Sequence, residues 1–235
     1  MKNNLKNIGI IMDGNRRWSK AKGLPIIKGY KQGIAALKKV IETSSKYKIN
    51  QLTVFAFSSE NWDRSSSEVD LLLQLLEWYL KSEIAELHKK NIIFRSIGNK
   101  HRFPSNLSKL LTSAEDLTKK NTGLELNVAL NYGGREDILS SVKSISKKVK
   151  KNMINLDDIN FDLFRENLIS SKVEDFDLLI RTSGEKRLSN FMFWQITYSE
   201  IYYSDILWPD FNEDEFLKAM DSYKKRERRF GASSI

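Results

Sequence analysis

The feature that most constrains this chain is an alternation of short apolar runs with longer stretches of helical spacing. The runs are IGIIM (8–12), LTVFAF (52–57), IIFRSI (92–97), LELNVAL (124–130) and DLLI (177–180), with EIYYSDIL (200–207) a weaker sixth. Between them, Ile34, Leu37, Val40 and Ile41 recur at steps of three and four within 28–47. Helical patterns also cover 67–90, where Ser66 or Ser67 is placed as the cap, then 105–121, 134–151 and 212–229. Strands that alternate with helices need crossovers, which implies a central, mostly parallel sheet flanked by helices on both faces. At 235 residues the expectation is a single α/β domain spanning 1–235. KSISKKVKK (143–151) reads as the solvated face and end of a helix.

In such a sheet the segments that follow the strands gather at one edge, where open α/β proteins bind ligands. Here those segments are MDGNRRW, SSENWDR, NYGGR and RTSGEKRLSN. They bring Arg16, Arg17, Arg64, Arg135, Arg181 and Arg187 towards one crevice. Guanidiniums and free backbone N–H groups together suit a diphosphate. Asp13 is out of place among them unless a divalent cation bridges it to phosphate. DGN (13–15) is also an ordinary turn composition, and a hydrogen-bonded turn would explain the serines of SSENW. DGNRR is not a calcium loop, since Arg17 stands at the fifth position, and the chain has no P-loop motif.

Composition narrows the chemistry. Hydrophobic residues make up 40% and charged residues 29%, as expected of a folded soluble chain. There is no cysteine, which excludes disulfides and thiolate metal sites and points to a reducing, cytoplasmic setting. His88 and His101 are too few for a multi-histidine zinc site. Catalysis must therefore rest on carboxylates, arginines, hydroxyls and amides. The apolar run near the N-terminus is too short for a signal peptide, and no stretch is long enough to span a bilayer. A net charge of +9 favours an anionic partner, whether nucleic acid, membrane surface or phosphorylated substrate.

Three further stretches carry alternatives. In VDLLLQLLEWYL (69–80) most of the helix circumference is apolar, so it is buried in the core or a subunit contact, or it lines a greasy cavity. NLDDINFD (155–162) loosely resembles the aspartate-rich box of trans-type prenyl synthases. The third aspartate comes one residue late, and an acidic helix N-terminus accounts for it. YKKRERRF (223–230) suggests nucleic acid, but its charges fall on all sides of the helix and Glu227 interrupts them.

The motifs MDGNRRW, FSSENW, LNYGGR, RTSGEKRLSNFMFWQ with YSEIYYSDILWPDF, and RERRFG occur in that order over nearly the whole chain. In this the chain resembles the cis-prenyltransferase family, in particular its bacterial undecaprenyl diphosphate synthases. The resemblance implies a magnesium-dependent transferase that adds isopentenyl diphosphate to farnesyl diphosphate and makes the lipid carrier precursor of the cell wall. It also implies a homodimer. By the same resemblance Asp13 holds magnesium at the allylic diphosphate, which Gly14, Asn15, Arg16 and Arg17 cradle and Trp18 closes over. Ser58, Ser59 and Glu60 match a substrate-contacting segment. Asn61, beside Trp62 and Arg64, matches a residue proposed to assist proton removal, although an amide suits orienting the substrate better than accepting a proton. Arg181, Arg187, Leu188 and Ser189 match the isopentenyl diphosphate site, and Glu200 matches a second magnesium ligand.

Three positions depart from the family pattern. Ile26 and Tyr30 stand where arginine and histidine are expected, which predicts weaker binding of farnesyl diphosphate; Lys28 is an imperfect replacement. Ser183 stands where glycine is common, a mild change if the backbone angle there is ordinary. The growing chain is expected in an apolar tunnel lined by the Val69–Leu80 helix, with Ala56 at its mouth. A cis-prenyl synthase of another chain length is an alternative, as is a basic nucleic-acid-binding protein. That second alternative leaves Asp13, Glu60 and Glu200 without a use. Peripheral contact with an anionic membrane fits the charge, but no amphipathic anchor stands out.

Overall fold

The computed structural model describes residues 4–226. Its strands are β1 (Asn7–Ile11), β2 (Gln51–Ser58), β3 (Ile93–Ile97), β4 (Glu125–Tyr132), β5 (Leu178–Arg181) and β6 (Glu200–Tyr203). They form one sheet in the order β3-β4-β2-β1-β5-β6, and every pairing is parallel. The helices are α1 (Asn15–Ala21), α2 (Ile26–Lys46), α3 (Ser66–Lys89), α4 (Ser105–Thr118), α5 (Gly134–Lys150), α6 (Phe161–Glu166) and α7 (Glu213–Lys224). Strand side chains alternate between faces. Ile8, Ile10, Leu52, Val54, Leu126 and Val128 join the main core with Val40 and Ile41 of α2. Ile11, Ala129 and Leu179 face a smaller cluster closed by Phe176, Phe191 and Met192.

The strand order places a topological switch beside β1. The chain builds outward on one side of β1 through β2, β3 and β4, then crosses to β5 on the other side. The crevice between the ends of β1 and β5 is where an open parallel sheet can admit a ligand.

Local chemistry shapes that crevice. Gly14 caps α1 at φ 117, and a Cβ there would lie 3.1 Å from the Leu207 backbone. Only glycine meets both conditions cheaply. α1 then lies directly on α2, because Gly29 and Gly33, one helical turn apart, leave a flat strip. A Cβ at Gly29 would come within 2.2 Å of the Asn15 carbonyl oxygen. In β2 a bulge at Ala56 leaves that residue unpaired between Phe55 and Phe57. The bulge turns Ala56 out of the sheet, as bulges beside functional sites often do.

Several boundaries differ from the sequence expectation. The helix over 67–90 begins one residue earlier, and Ser65 occupies its N-cap without a side-chain cap bond. α1 and α6 lie in stretches that carried no strong helical period. The acidic stretch 155–162 does open helical structure: Asn160 caps α6 through its side chain, with Asp162 in the first turn. The sixth strand stops at Tyr203. Beyond it the backbone folds over the β5 loop, where Ser183 and Gly184 donate to the carbonyls of Ile206 and Ser204. α7 ends at Lys224, and the remainder of the RERRFG motif beyond Arg226 lies outside the described residues.

Candidate active site

A cavity of about 870 Å³ opens over the ends of β1, β2 and β5. Arg16, Arg17, Arg64, Arg135, Arg181 and Arg187 all line it, against three carboxylates, Asp13, Glu60 and Glu185. Its apolar side consists of Ile11, Met12, Phe55, Ala56, Leu72 and Phe193. One compartment thus joins a cationic wall to a hydrocarbon floor.

Asp13 is held by its backbone. Its N–H donates to Thr182 Oγ1 at 2.9 Å, and Thr182 Oγ1 donates to the Asp13 carbonyl at 2.7 Å. The carboxylate lies between Arg17, at 3.3 Å, and Arg181, at 3.0 Å. Arg181 is almost fully buried, at 3% exposure, and also donates to Ser189 Oγ at 2.7 Å and to the Arg187 carbonyl. Its buried Nε has no hydrogen-bond partner among the described residues. Arg17 reaches Glu185 at 3.0 Å and the Ser183 carbonyl at 3.2 Å.

Ser183 sits at φ 70, in the left-handed region, so the backbone angle there is not ordinary and the replacement of glycine carries strain. Its hydroxyl accepts from Arg17, a contact glycine could not offer. Ile26 is exposed at the start of α2 and does not line the cavity, whereas Tyr30 does. The Tyr30 hydroxyl donates to Glu68 at 2.9 Å and accepts from Arg64 at 3.1 Å. Glu68 also pairs with Arg64 at 2.7 Å and Arg16 at 3.2 Å. Burial pushes the Tyr30 phenol up to about 12; Arg64 opposes this and Glu68 reinforces it. Burial alone would raise the Glu68 carboxyl, but hydrogen bonds from Arg64 and Tyr30 and the charges of Arg64 and Arg16 hold it below the usual range.

Most residues singled out from sequence meet here, and some do not. Asp13, Gly14, Asn15, Arg16 and Arg17 line the cavity, as do Ser58, Glu60, Asn61 and Arg64, and then Arg181, Arg187 and Ser189. Asn61 Oδ1 accepts the Ser58 N–H at 3.1 Å, which leaves the amide NH2 as the group to meet a ligand. Trp18, Ser59, Trp62 and Leu188 are not lining residues. Trp18 donates its indole N–H to Asp210 at 2.7 Å. Trp62 donates to Asn131 at 2.8 Å and packs 5.1 Å from the Phe57 ring, so it braces the loop from behind. Leu188 joins the smaller apolar cluster.

Glu200 is displaced furthest. It opens β6 opposite Leu178, three residues before the register of Arg181, or about 10 Å from the ligand edge. There it pairs with Arg226. Of the Val69–Leu80 stretch only Leu72 reaches the cavity; Val69, Leu75, Tyr79 and Leu80 are buried in packing. Glu185, Asn190 and Phe193 line the cavity without a role assigned from sequence, although all three lie inside RTSGEKRLSNFMFWQ, and that position is their only signal.

Fold and site together define a parallel α/β protein built to hold a polyanion above an apolar floor. The protein-family model described as "Putative undecaprenyl diphosphate synthase" matches residues 11–231. The chain is 46% identical over 228 residues to the farnesyl-diphosphate-specific ditrans,polycis-undecaprenyl-diphosphate synthase of Vibrio cholerae, covering 97% of this chain and 91% of that one. It is 48% identical to an isoprenyl transferase of Prochlorococcus marinus, over 96% of this chain and 83% of that one. Lavandulyl diphosphate synthase from Lavandula x intermedia, solved with dimethylallyl diphosphate, superposes with a TM-score of 0.95 at 37% identity, covering 98% of this chain and 100% of that one. The chain belongs to the undecaprenyl diphosphate synthase family of cis-prenyltransferases.

Proposed function

We propose that this chain is a cis-prenyltransferase that condenses isopentenyl diphosphate units onto an allylic diphosphate, farnesyl diphosphate in particular, and forms a long-chain polyprenyl diphosphate of the undecaprenyl type. The observation that carries this reading is the single cavity with six arginines on one side and Met12, Phe55, Ala56, Leu72 and Phe193 on the other. A substrate with a diphosphate head and an isoprenoid tail matches both halves. Each buried CH2 of the tail adds about 0.8 kcal/mol, so a lengthening product is gripped more tightly at every step.

In this reading Arg16 and Arg17, with the backbone at Gly14 and Asn15, take the allylic diphosphate. Arg181, Arg187 and Ser189 take the diphosphate of isopentenyl diphosphate and aim its alkene at the allylic carbon, a positioning contribution. Breaking the allylic C–O bond leaves negative charge on the departing diphosphate, where preorganised guanidiniums stabilise it as it develops. Asn61 orients substrate through its amide NH2, because its carbonyl oxygen is engaged by Ser58. The proton lost on forming the new double bond passes to a diphosphate oxygen.

The donor set fits magnesium. No group of three or more acidic or imidazole ligands gathers among the described residues, and of the cavity's three carboxylates Asp13 is the one placed between Arg17 and Arg181. Magnesium is commonly held by one or two carboxylates, with substrate phosphates completing its shell. Asp13 would be the protein ligand within one chain, without Glu200. When bound, the ion supplies charge neutralisation at the leaving diphosphate. A homodimer belongs to the same reading and is supported by apolar side chains left outside the core: Leu139 and Val142 on α5, and Phe161 on α6 at 81% exposure. Cytoplasmic action is consistent with the absence of cysteine. No helix among the described residues is long and apolar enough to cross a membrane.

The test is incubation with farnesyl diphosphate and labelled isopentenyl diphosphate, with and without magnesium, and separation of the products by length. The expected result is a magnesium-dependent ladder ending near eleven isoprene units. A ladder ending elsewhere keeps the reaction and changes the product, and no transfer at all overturns the proposal.

A further inference from the structure

Asn190, on the cavity wall, hydrogen-bonds to two loops other than its own, and the reaction described above gives it no role. Its carbonyl oxygen accepts the Gly134 N–H at 2.7 Å. Its side-chain Oδ1 accepts the Arg135 N–H at 2.9 Å, and its Nδ2 donates to Glu60 Oε1 at 2.7 Å and to Glu136 Oε2 at 3.3 Å. The backbone supports this reach at a cost in strain. Ser189, Asn190 and Met192 all have left-handed φ angles, 48°, 61° and 43°. Asparagine tolerates that region better than most residues.

The surroundings leave no slack. A Cβ added at Gly133 would meet Glu136 Oε2 at 2.0 Å, Ser59 Oγ at 2.6 Å and Asn190 Nδ2 at 2.7 Å. A Cβ there would push these side-chain ends aside, so the glycine leaves room for the bonds that converge beside it. Burial alone would raise the Glu60 carboxyl, but hydrogen bonds from Asn190, the backbone, Ser58 and Ser59 hold it below the usual range.

We propose that Asn190 is a positioning residue that locks three separate loops into one wall: the Ser59–Asp63 turn, the Gly133–Arg135 corner and the Arg187–Ser189 segment. By doing so it fixes Arg135, Arg187 and Ser189 for the diphosphate of isopentenyl diphosphate. The identity of that ligand rests on the prenyl-transfer reading; the locking does not. No single loop could hold this wall, because each follows a different strand; Asn190 directly continues the Arg187–Ser189 segment and hydrogen-bonds to the other two.

Two variants test it. Asn190→Gly keeps the left-handed backbone available and deletes the side chain. It is expected to raise KM for isopentenyl diphosphate by about tenfold, the scale of one to two lost hydrogen bonds at a solvent-accessible wall, while kcat changes less. Amide hydrogen exchange at Arg135 should accelerate in parallel. Asn190→Asp keeps the acceptor for Arg135 but turns a carboxylate oxygen towards Glu60 and Glu136. Its KM defect should be large at pH 8 and shrink as the pH is lowered towards 5.5, where a proton shared between the carboxyls restores a donor. The native enzyme, run in parallel, removes the pH dependence of the rest of the site.

A native KM in both variants, or unchanged exchange at Arg135 in Asn190→Gly, overturns the proposal. So does an Asn190→Asp defect that is independent of pH and equal to that of Asn190→Gly. If the native chain forms no prenyl product, the reaction reading falls, while exchange at Arg135 still decides whether Asn190 locks the wall.

Discussion

The two edges of the sheet carry similar residue types and use them in opposite ways. At the edge where the strands begin, a cavity of about 640 Å³ is lined by one lysine, Lys48, and two glutamates, Glu125 and Glu174. Several polar groups around it are paired within the protein. Gln51 Oε1 accepts the Glu174 N–H at 2.8 Å and its Nε2 donates to the Lys172 carbonyl at 3.2 Å. Arg95 pairs with Glu125 at 2.8 Å, and Asp177 accepts the N–H groups of Lys6 and Asn7 at 2.8 and 2.9 Å. At the edge where the strands end, six arginines outnumber three carboxylates around a cavity of about 870 Å³. Charge that the protein neutralises itself maintains the fold. Charge left in excess, held in place and partly desolvated, is what an anionic substrate completes.

Substitutions at the two edges should therefore separate activity from stability. The largest effect is expected from Asp13→Ala, which removes the lone carboxylate between Arg17 and Arg181. By the scale of other electrostatic groups, turnover should fall on the order of a thousandfold, far more than the stability lost by unpairing the buried Arg181 accounts for. Near-normal turnover in a product assay would break the comparison. At the opposite edge, Gln51→Ala strands the Glu174 N–H and the Lys172 carbonyl. It should lose about 2 kcal/mol of stability in denaturant titration while kcat/KM stays within about twofold.

The carboxyls also differ in sign. Glu68, beside the cavity, has a lowered folded-state pKa, so its stabilising contribution is present above 4.5 and is lost as the pH falls through the folded value. The stability gap between native protein and Glu68→Gln should be open at pH 7 and close on acidification. Asp175, near the other edge, is raised, by burial first and by Glu174, against the pull of Arg165. Its ionisation therefore costs stability above 3.8, and Asp175→Asn should be more stable at pH 7, with the gain fading in acid. Paired unfolding curves at several pH values check both signs. The smallest effect is expected from Ser183→Gly, which relieves a left-handed serine worth about 1 kcal/mol of strain but loses the hydroxyl facing Arg17. A net gain below about 1 kcal/mol in thermal unfolding fits; a loss would mean that the Arg17 contact outweighs the strain.

Glu200 shows where linear reading reaches its limit. It lies in a motif shared with the family and is followed within a few residues by Ser204, whose carbonyl supports the ligand loop. Yet a strand four residues long separates the two ends of that motif. Motif order gives proximity along the chain, whereas a strand carries its first residue to the far edge of the sheet. Trp18 and Trp62 teach a related lesson: both stand inside charged motifs, and both turn their indoles into supporting contacts behind them.

By itself the sequence determined the alternation of strands and helices, the parallel sheet, and the gathering of Asp13, Arg17, Arg64, Arg181 and Arg187 at one edge. These follow from periodicity and from chain direction, which are local properties that the strand topology carries forward without further information. Only the tertiary structure decided that Ala56 leaves the ladder at a bulge, that Tyr30 and Glu68 tether two cavity arginines, that Asn190 ties its own segment to two other loops, and that Glu200 stays behind. Each of those depends on register or on contacts between residues far apart in the chain, where a shift of one residue reverses which way a side chain points.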